Sequence, residues 1–466
     1  MQDFFARARR RYPDLSPRDP SGSALHAVLR DHLETFLAER ERADAPLPRF
    51  VTDELRGVLD CGVLAKGCAH FRCERCGLDR VVALSCKGRG FCPRCCGRRM
   101  NETARHLAER VFPAVRTRQW VLSFPFELRW ALAFHHALVL DLSRITYEEI
   151  ARRYRRLCRD SGLRLPRGGA FFVMQRFGSD LRLNVHLHAL FLDGTFGEDG
   201  AFFTAPAPSP KEVEEILARI VARANKLLEE RQDALEDIDD GERSLAQTHG
   251  ESTSSRGTAK LGPDDGHDGQ TLLPTRRKAR VDGFDLDAEV AVAAHDRERR
   301  EGLLRYFLRP PLSHDRLRYL PSEAGGLVIL QLKKPWQDRT THVELTPSAF
   351  LMRLSSLVPR PYKNTSLYFG VLAAHAKDRN NIVPKPRREA TRKQDASWAA
   401  LMKHSFGLDV LGCPKPGCKG RLTLVAVIFD RAEVKRLLQH LRLFREPIPV
   451  RRARDPPELW TEAYDF

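Results

Sequence analysis

Residues 183–193 alternate between apolar and polar side chains. Val185, Leu187, Ala189 and Phe191 fall on one face; Asn184, His186, His188 and Leu190 fall on the other. A period of two predicts a half-buried β-strand, with one face in a core and the other presenting two imidazoles. The run 171–176 has the same strand-like bias, and Gly178, Ser179 and Asp180 supply turn chemistry after it, so a hairpin is expected. Centring that hairpin near Asp180 and Leu181 sets Gln175 directly opposite His186, on the same face. One Gln oxygen and two His nitrogens then converge on a point, an open mixed site suited to Mg²⁺ or Mn²⁺ as much as to Zn²⁺. A slip of one residue would take Gln175 off that face. With 16 His in the chain, a bare His-x-His pair arises by chance in roughly every second sequence of this composition, so the neighbouring strand matters more than the spacing.

Helical periodicity marks 24–39, 127–161, 210–236, 296–308, 347–357 and 431–443, the fourth stopped by Pro310 and Pro311. Strand-like runs occupy 116–124, 327–332 and 341–345. The mixture predicts an α+β chain, an antiparallel sheet with helices packed on it. In 237–282 Asp/Glu, Ser/Thr, Gly and His replace the apolar residues, which reads as a disordered or loop insertion without a catalytic role. The expected organisation is a helical region (1–60), a zinc-binding domain (61–112), a catalytic domain split into 113–236 and 283–385, the insertion between them, and a basic C-terminal tail (386–466).

Charge adds the expected class of partner. Lys and Arg number 78 against 61 Asp and Glu, a net charge of +17 with a pI of about 9.6. That excess points to a polyanion, by default nucleic acid. No run of 18 apolar residues and no signal-peptide pattern occurs, so a cytoplasmic chain without a membrane partner is expected. No Gly-x₄-Gly-Lys-Ser/Thr loop occurs either, which fits chemistry without ATP.

Eight of the eleven Cys lie within 61–100. Cys73-x₂-Cys76 and Cys92-x₂-Cys95, fifteen residues apart, have the spacing of a zinc ribbon in which four thiolates close one structural Zn²⁺. Cys61, Cys68, Cys86 and Cys96 are left over, with Cys86 and Cys96 as candidates for a distorted or second site. Arg89, Arg98 and Arg99 crowd this module and suit phosphate contacts. Cys413 and Cys418 cannot close a tetrahedral site alone, and this part of the tail reads as a ribbon remnant or a small structural appendage. Tyr306, among Leu303, Leu304 and Phe307 and flanked by Arg305 and Arg309, reads locally as a core residue with its hydroxyl at the edge.

Longer strings carry a resemblance. Cys86-Lys-Gly-Arg-Gly-Phe-Cys-Pro-Arg-Cys95, Arg118-Gln-Trp-Val-Leu-Ser-Phe-Pro125, Gln175-Arg-Phe-Gly-Ser179, Leu183-Asn-Val-His-Leu-His188 and Leu303-Leu-Arg-Tyr-Phe-Leu-Arg-Pro-Pro-Leu312 resemble, in order, the transposases of the insertion-sequence-91 type. So do Lys334-Pro-Trp-Gln-Asp-Arg-Thr-Thr-His-Val343 and Leu357-Val-Pro-Arg-Pro361, and the likeness runs from about 30 to 445. The resemblance implies an HUH endonuclease domain behind a zinc module, with the tyrosine helix packed across the histidine hairpin. It implies His186 and His188 as ligands of a catalytic Mg²⁺ or Mn²⁺, and Tyr306 as the nucleophile on single-stranded DNA. Arg305, Arg309 and the basic residues of the zinc module would then contact single-stranded or hairpin element ends. Some members carry a second tyrosine four residues away, where this chain has Gly302 and Pro310. A DNA-binding regulator without catalysis would share the charge and the cysteines but not the paired histidines. A replication initiator or relaxase would share the hairpin and the tyrosine but not the 61–100 module.

Overall fold

Two helices, α1 (Ala24–Arg42) and α2 (Arg49–Asp60), precede a β1–β2 hairpin (Cys68–Cys73 and Asp79–Ala83) and helix α3 (Pro93–Arg110) in the computed structural model of the chain. The residues it describes are 20–232, 235, 242–254, 277–322, 325–336, 338–384 and 409–454. Strand β3 (Thr117–Ser123) opens the central sheet, and α4 (Arg129–Phe134) and α5 (His136–Asp160) follow, divided at His135 where one continuous helix is expected from the periodicity. The hairpin β4 (Gly169–Phe177) and β5 (Leu183–Leu192) comes next, then a small β6–β7 hairpin (Gly194–Phe196 and Phe202–Thr204) and α6 (Pro210–Glu230). Helix α6 starts where Ser209 and Glu212 form a reciprocal capping box ahead of Pro210.

Part of the stretch expected to be disordered is ordered. Helix α7 (Arg243–Ser254) packs its small polar face inward, with Thr248, His249 and Ser252 buried, and β8 (Lys278–Val281) begins a strand pair with β9 (Phe284–Asp287). The helix escapes a hydropathy reading because its buried surface is mixed, with Thr248, His249 and Ser252 turned inward beside Leu245 and Ala246. Residues 237–241 and 255–276 of that stretch lie outside the described residues.

Strand β10 (Ala291–Val292), helix α8 (Arg297–Phe307), the β11–β12–β13 sheet (Leu317–Leu320, Leu327–Gln331, His342–Leu345), helix α9 (Pro347–Leu357) and β14 (Ser366–Gly370) complete the middle of the chain. The described tail adds β15 (Leu422–Ile428) and α10 (Arg431–His440). In the central sheet the strand order is β14-β4-β5-β3-β9-β8, with β10 also on β3, and every neighbour is antiparallel. The chain is therefore an α+β fold with an antiparallel sheet behind an N-terminal cysteine-rich module.

Both faces of the sheet are covered, which departs from the half-buried strand expected. Phe172, Val185, Leu187, Ala189, Phe191 and Trp120 share one core with α1, α2, α5, α6 and α9. Phe171, Val173, Leu190 and Leu192 meet Ala104, Leu107 and Ala108 of α3 and Leu304 and Phe307 of α8 on the other face. His188 of β5 therefore faces a packed helix rather than open water, while Asn184 and His186 are half-buried. No helix among the described residues is long and apolar enough to cross a membrane.

The tail is built into the molecule. Strand β15 pairs antiparallel along the whole of β1, from Cys68 opposite Ile428 to Cys73 opposite Leu422, and forms the three-stranded sheet β15-β1-β2. Val434 and Leu438 of α10 close a small core over Cys68 and Val81. An appendage carrying a ribbon remnant is thus the wrong description of 409–440; the remainder, 386–408 and 455–466, lies outside the described residues.

Candidate active site and cysteine clusters

The hairpin turn is held by Asp180, whose Oδ1 accepts from the Arg182 amide at 3.1 Å and whose carbonyl accepts from buried Arg353 at 2.8 Å. That turn sets the register: Gln175 pairs with His186 and Val173 with His188, the pairing expected from the hairpin centre. His186 and His188 stand side by side, ring centroids 4.9 Å apart, on the face that also carries Gln119 of β3 and Gln175 of β4.

Helix α8 lies across them. Asp296 caps it by accepting from the Arg299 amide at 3.0 Å, and buried Arg300 donates to the carbonyls of Pro113 and Val115 at 3.1 and 2.8 Å. Leu304 and Phe307 anchor its last turn. Tyr306, 39% exposed, sits at the edge of this packing with its ring perpendicular to His188 at 5.5 Å between centroids, while Phe307 stacks on His188 at 5.0 Å. The guanidinium of Arg309 lies 4.2 Å from the centre of the Tyr306 ring, within cation–π range.

The side-chain amide of Gln175 donates to the carbonyls of both Tyr306 and Phe307, at 3.1 and 2.7 Å. These are orphan carbonyls of the last helical turn, so Gln175 caps α8 from the sheet. The same bonds turn its oxygen away from the helix. Gln175 Oε1 and His188 Nε2 are both buried with no hydrogen-bonding partner among the described residues. His186 Nδ1 donates to the Asn184 carbonyl at 3.1 Å, which leaves the lone pair on Nε2. The Gln119 side-chain nitrogen lies 3.5 Å from His188 Nδ1, and the sense of that contact sets which ring nitrogen carries the proton. Burial, helped by His186, Arg309 and Lys333, holds His188 well below the usual imidazole range and hence neutral, the form that ligates metal. Buried Gln175 Oε1 and His188 Nε2, unpartnered among the described residues, with half-buried His186 beside them, are a donor set that fits a divalent cation.

The predicted cationic contacts are partly engaged within the chain. Arg305 pairs with Glu301 and Arg98 with Glu102, while Arg89 donates to the Lys363 carbonyl and Arg99 to those of Lys87 and Gly88. Of the five, Arg309 is the one placed against the Tyr306 ring.

The cysteines are grouped differently from the single ribbon expected. Cys73 and Cys76 do not meet Cys92 and Cys95. Cys92 and Cys95, at the start of α3, converge instead with Cys61 at the end of α2 and with Cys86; Sγ separations are 3.7 Å for Cys61–Cys92, 3.6 Å for Cys61–Cys95 and 3.4 Å for Cys86–Cys95. Tetrahedral Zn²⁺ with Zn–S bonds of about 2.3 Å sets its sulfurs close to 3.8 Å apart, so this quartet has the right size. Cys73 and Cys76 lie beside Cys413 and Cys418. Cys96 is in neither group, so the suggested pairing of Cys86 with Cys96 does not occur; Cys68 belongs to a small apolar core. Spacing identifies knuckles but does not say which knuckles meet.

Two family matches agree with this layout. Residues 28–124 match the family described as "Transposase zinc-binding domain", of the insertion-sequence-91 type, and all four thiols of the Cys61 quartet fall inside it. Residues 169–380, which hold the histidine hairpin and the α8 tyrosine, match the family described as "Putative transposase". No curated protein and no solved structure matches the chain. Fold and site together define a DNA-processing enzyme with a structural zinc module. The chain belongs to the transposases of the insertion-sequence-91 type, and DNA is its partner.

Proposed function

We propose that this transposase cleaves and rejoins single-stranded DNA through a covalent 5′-phosphotyrosine on Tyr306, mobilising its element by a rolling-circle-like route. The observation that carries the reading is the contact of the Tyr306 ring with His188, in a helix that Gln175 ties to the histidine strands. The phenolic oxygen attacks the scissile phosphorus, a new P–O bond to Tyr306 forms, and the bond to the 3′ oxygen breaks. The phenolic proton is made up on the departing 3′ hydroxyl, so the phosphodiester energy is kept without ATP or water. A later 3′ hydroxyl attacks the phosphotyrosine, restores the phenol and seals the new joint.

His186, His188 and Gln175 would hold Mg²⁺ or Mn²⁺, which would supply Lewis-acid polarisation of the phosphate and charge stabilisation in the transition state. Arg309, its guanidinium over the Tyr306 ring, would hold a phosphate oxygen. Arg305, Arg89, Arg98 and Arg99 are assigned to the DNA backbone of a single-stranded or hairpin end. With Gly302 and Pro310 at the positions four residues away, Tyr306 acts alone in its helix, so successive strand transfers reuse it or call on a second copy of the chain.

The test is incubation of a single-stranded oligonucleotide carrying an element end with the protein and Mn²⁺. A covalent adduct is expected, with mass spectrometry placing the nucleotide on Tyr306 and Tyr306→Phe abolishing it. Specific binding by both proteins without adduct in either would mean a regulator instead.

A further inference from the structure

We propose that Cys73, Cys76, Cys413 and Cys418 hold a second structural zinc ion that clasps the C-terminal segment to the N-terminal module. Their four sulfurs all lie within 4.8 Å of one another, with 3.9 Å between Cys73 and Cys418 and 3.5 Å between Cys76 and Cys413. The clasp joins residues more than 300 positions apart, and two of its ligands lie beyond the 28–124 span of the zinc-binding family.

Both knuckles have the backbone such a site requires. The Gly77 amide donates to the Cys73 carbonyl at 2.9 Å with φ +69°, and Gly417 has φ +76° just before Cys418. The Cys413 amide donates to the Gly420 carbonyl at 3.0 Å, and the Gly420 amide points to Cys418 Sγ at 3.4 Å, an N–H···S contact that favours thiolate. A Cβ at Gly420 would lie 2.6 Å from Cys73 Sγ and 2.7 Å from the Arg75 Cβ, so only glycine lets the knuckles approach. Burial supports the same conclusion. Cys73 is buried but Cys76, Cys413 and Cys418 are only half-buried, and partly accessible thiols so close together are what a metal, rather than an apolar core, gathers. The surrounding structure holds the clasp in register through β15 on β1, and the chain then runs on to α1, where the Arg451 amide donates to the Arg30 carbonyl at 2.9 Å.

The experiment counts zinc in full-length protein by native mass spectrometry and maps thiol accessibility with iodoacetamide. Two zinc ions per chain are expected, and Cys76, Cys413 and Cys418 stay unlabelled despite their partial exposure until a chelator is added. Cys413→Ser combined with Cys418→Ser lowers the count to one and leaves Cys61, Cys86, Cys92 and Cys95 protected. Gly420→Ala exposes Cys73 and Cys76 to labelling, and Cys158→Ser, a buried cysteine outside both groups, keeps both ions. One zinc in the wild type, two in the Cys413/Cys418 double variant, a disulfide among these residues, or labelling of the half-buried thiols in zinc-replete protein would each overturn the clasp. None of these outcomes bears on the Tyr306 adduct, so the two proposals fail separately.

Discussion

Gln175 on β4 donates its side-chain amide to the backbone carbonyl of Phe307 at 2.7 Å, bridging the sheet and the last turn of the tyrosine helix. A single residue thus caps a helix and keeps a buried, unpartnered carbonyl oxygen on the histidine face of the sheet. Replacing Gln175 with Leu removes the tether and the oxygen while keeping much of the volume. The expected result is a fall of about 10- to 100-fold in Mn²⁺ affinity or adduct rate. Thermal unfolding should register a loss of about 1–3 kcal/mol from the buried carbonyls left without a donor. Equal Mn²⁺ titration curves for Gln175→Leu and wild type would remove Gln175 from the site.

Tyr306→Phe separates chemistry from packing. The ring keeps its contacts with His188 and Arg309, and its partly exposed edge makes stability nearly insensitive to the hydroxyl. A change within about 0.5 kcal/mol is expected in denaturant unfolding, alongside complete loss of adduct.

The zinc module and the tyrosine share a helix interface. Cys92 caps α3 and Cys95 lies in its first turn, while Ala104, Leu107 and Ala108 further along pack on Leu304 and Phe307, and Glu109 pairs with Arg297. Cys92→Ser should therefore loosen α8 as well as α3. Hydrogen exchange should rise over 297–307 and the adduct should form more slowly. Unchanged protection there would show the two modules to be mechanically independent.

Asp193 is fully buried and receives Arg118 at 3.0 and 3.1 Å, Arg116 at 2.7 Å and the Tyr154 hydroxyl at 2.9 Å. Asp193→Ala leaves the buried Arg118 charge without its carboxylate, at a cost of about 3–5 kcal/mol. Equilibrium unfolding measures it, and Asp193→Asn is expected to recover part of the loss by keeping acceptors for Tyr154.

His249 links stability to pH. Burial, followed by the nearby cations Arg176 and Arg360, holds it well below the usual imidazole range, and its Nε2 accepts from Arg176 at 3.3 Å. The native state keeps it neutral while the unfolded chain takes up a proton near the ordinary value of about 6.5. The sign follows: no contribution above that pH, and stability falling as pH drops below it, by at most about 1.4 kcal/mol per pH unit for one proton. Urea unfolding at pH 7 and pH 5.5 should give a smaller difference for His249→Gln than for wild type.

The hairpin was legible because its determinants are local. A period of two, a Gly-Ser-Asp turn and a count of residues set Gln175 against His186. The α8 stop at Pro310 and the capped starts of α6 and α9 are equally short-range signals. The cysteine grouping was not legible. Which knuckles meet depends on β15 pairing with β1, a contact between segments hundreds of residues apart that no periodicity encodes. Helix α7 was missed because Thr248, His249 and Ser252 make up much of its buried face, with only Leu245 and Ala246 as apolar markers, and the second sheet face was missed because Gln119, Gln175 and the histidines look solvent-facing in a hydropathy pattern.

Strand β1 is made early in synthesis, but its neighbour β15 leaves the ribosome only after the central sheet and helix α8 have been translated. Such a high-contact-order pairing closes late. A nascent or prematurely terminated polypeptide therefore carries histidines and tyrosine before its N-terminal sheet is finished, and folding order alone delays the completed enzyme until its last segment has arrived.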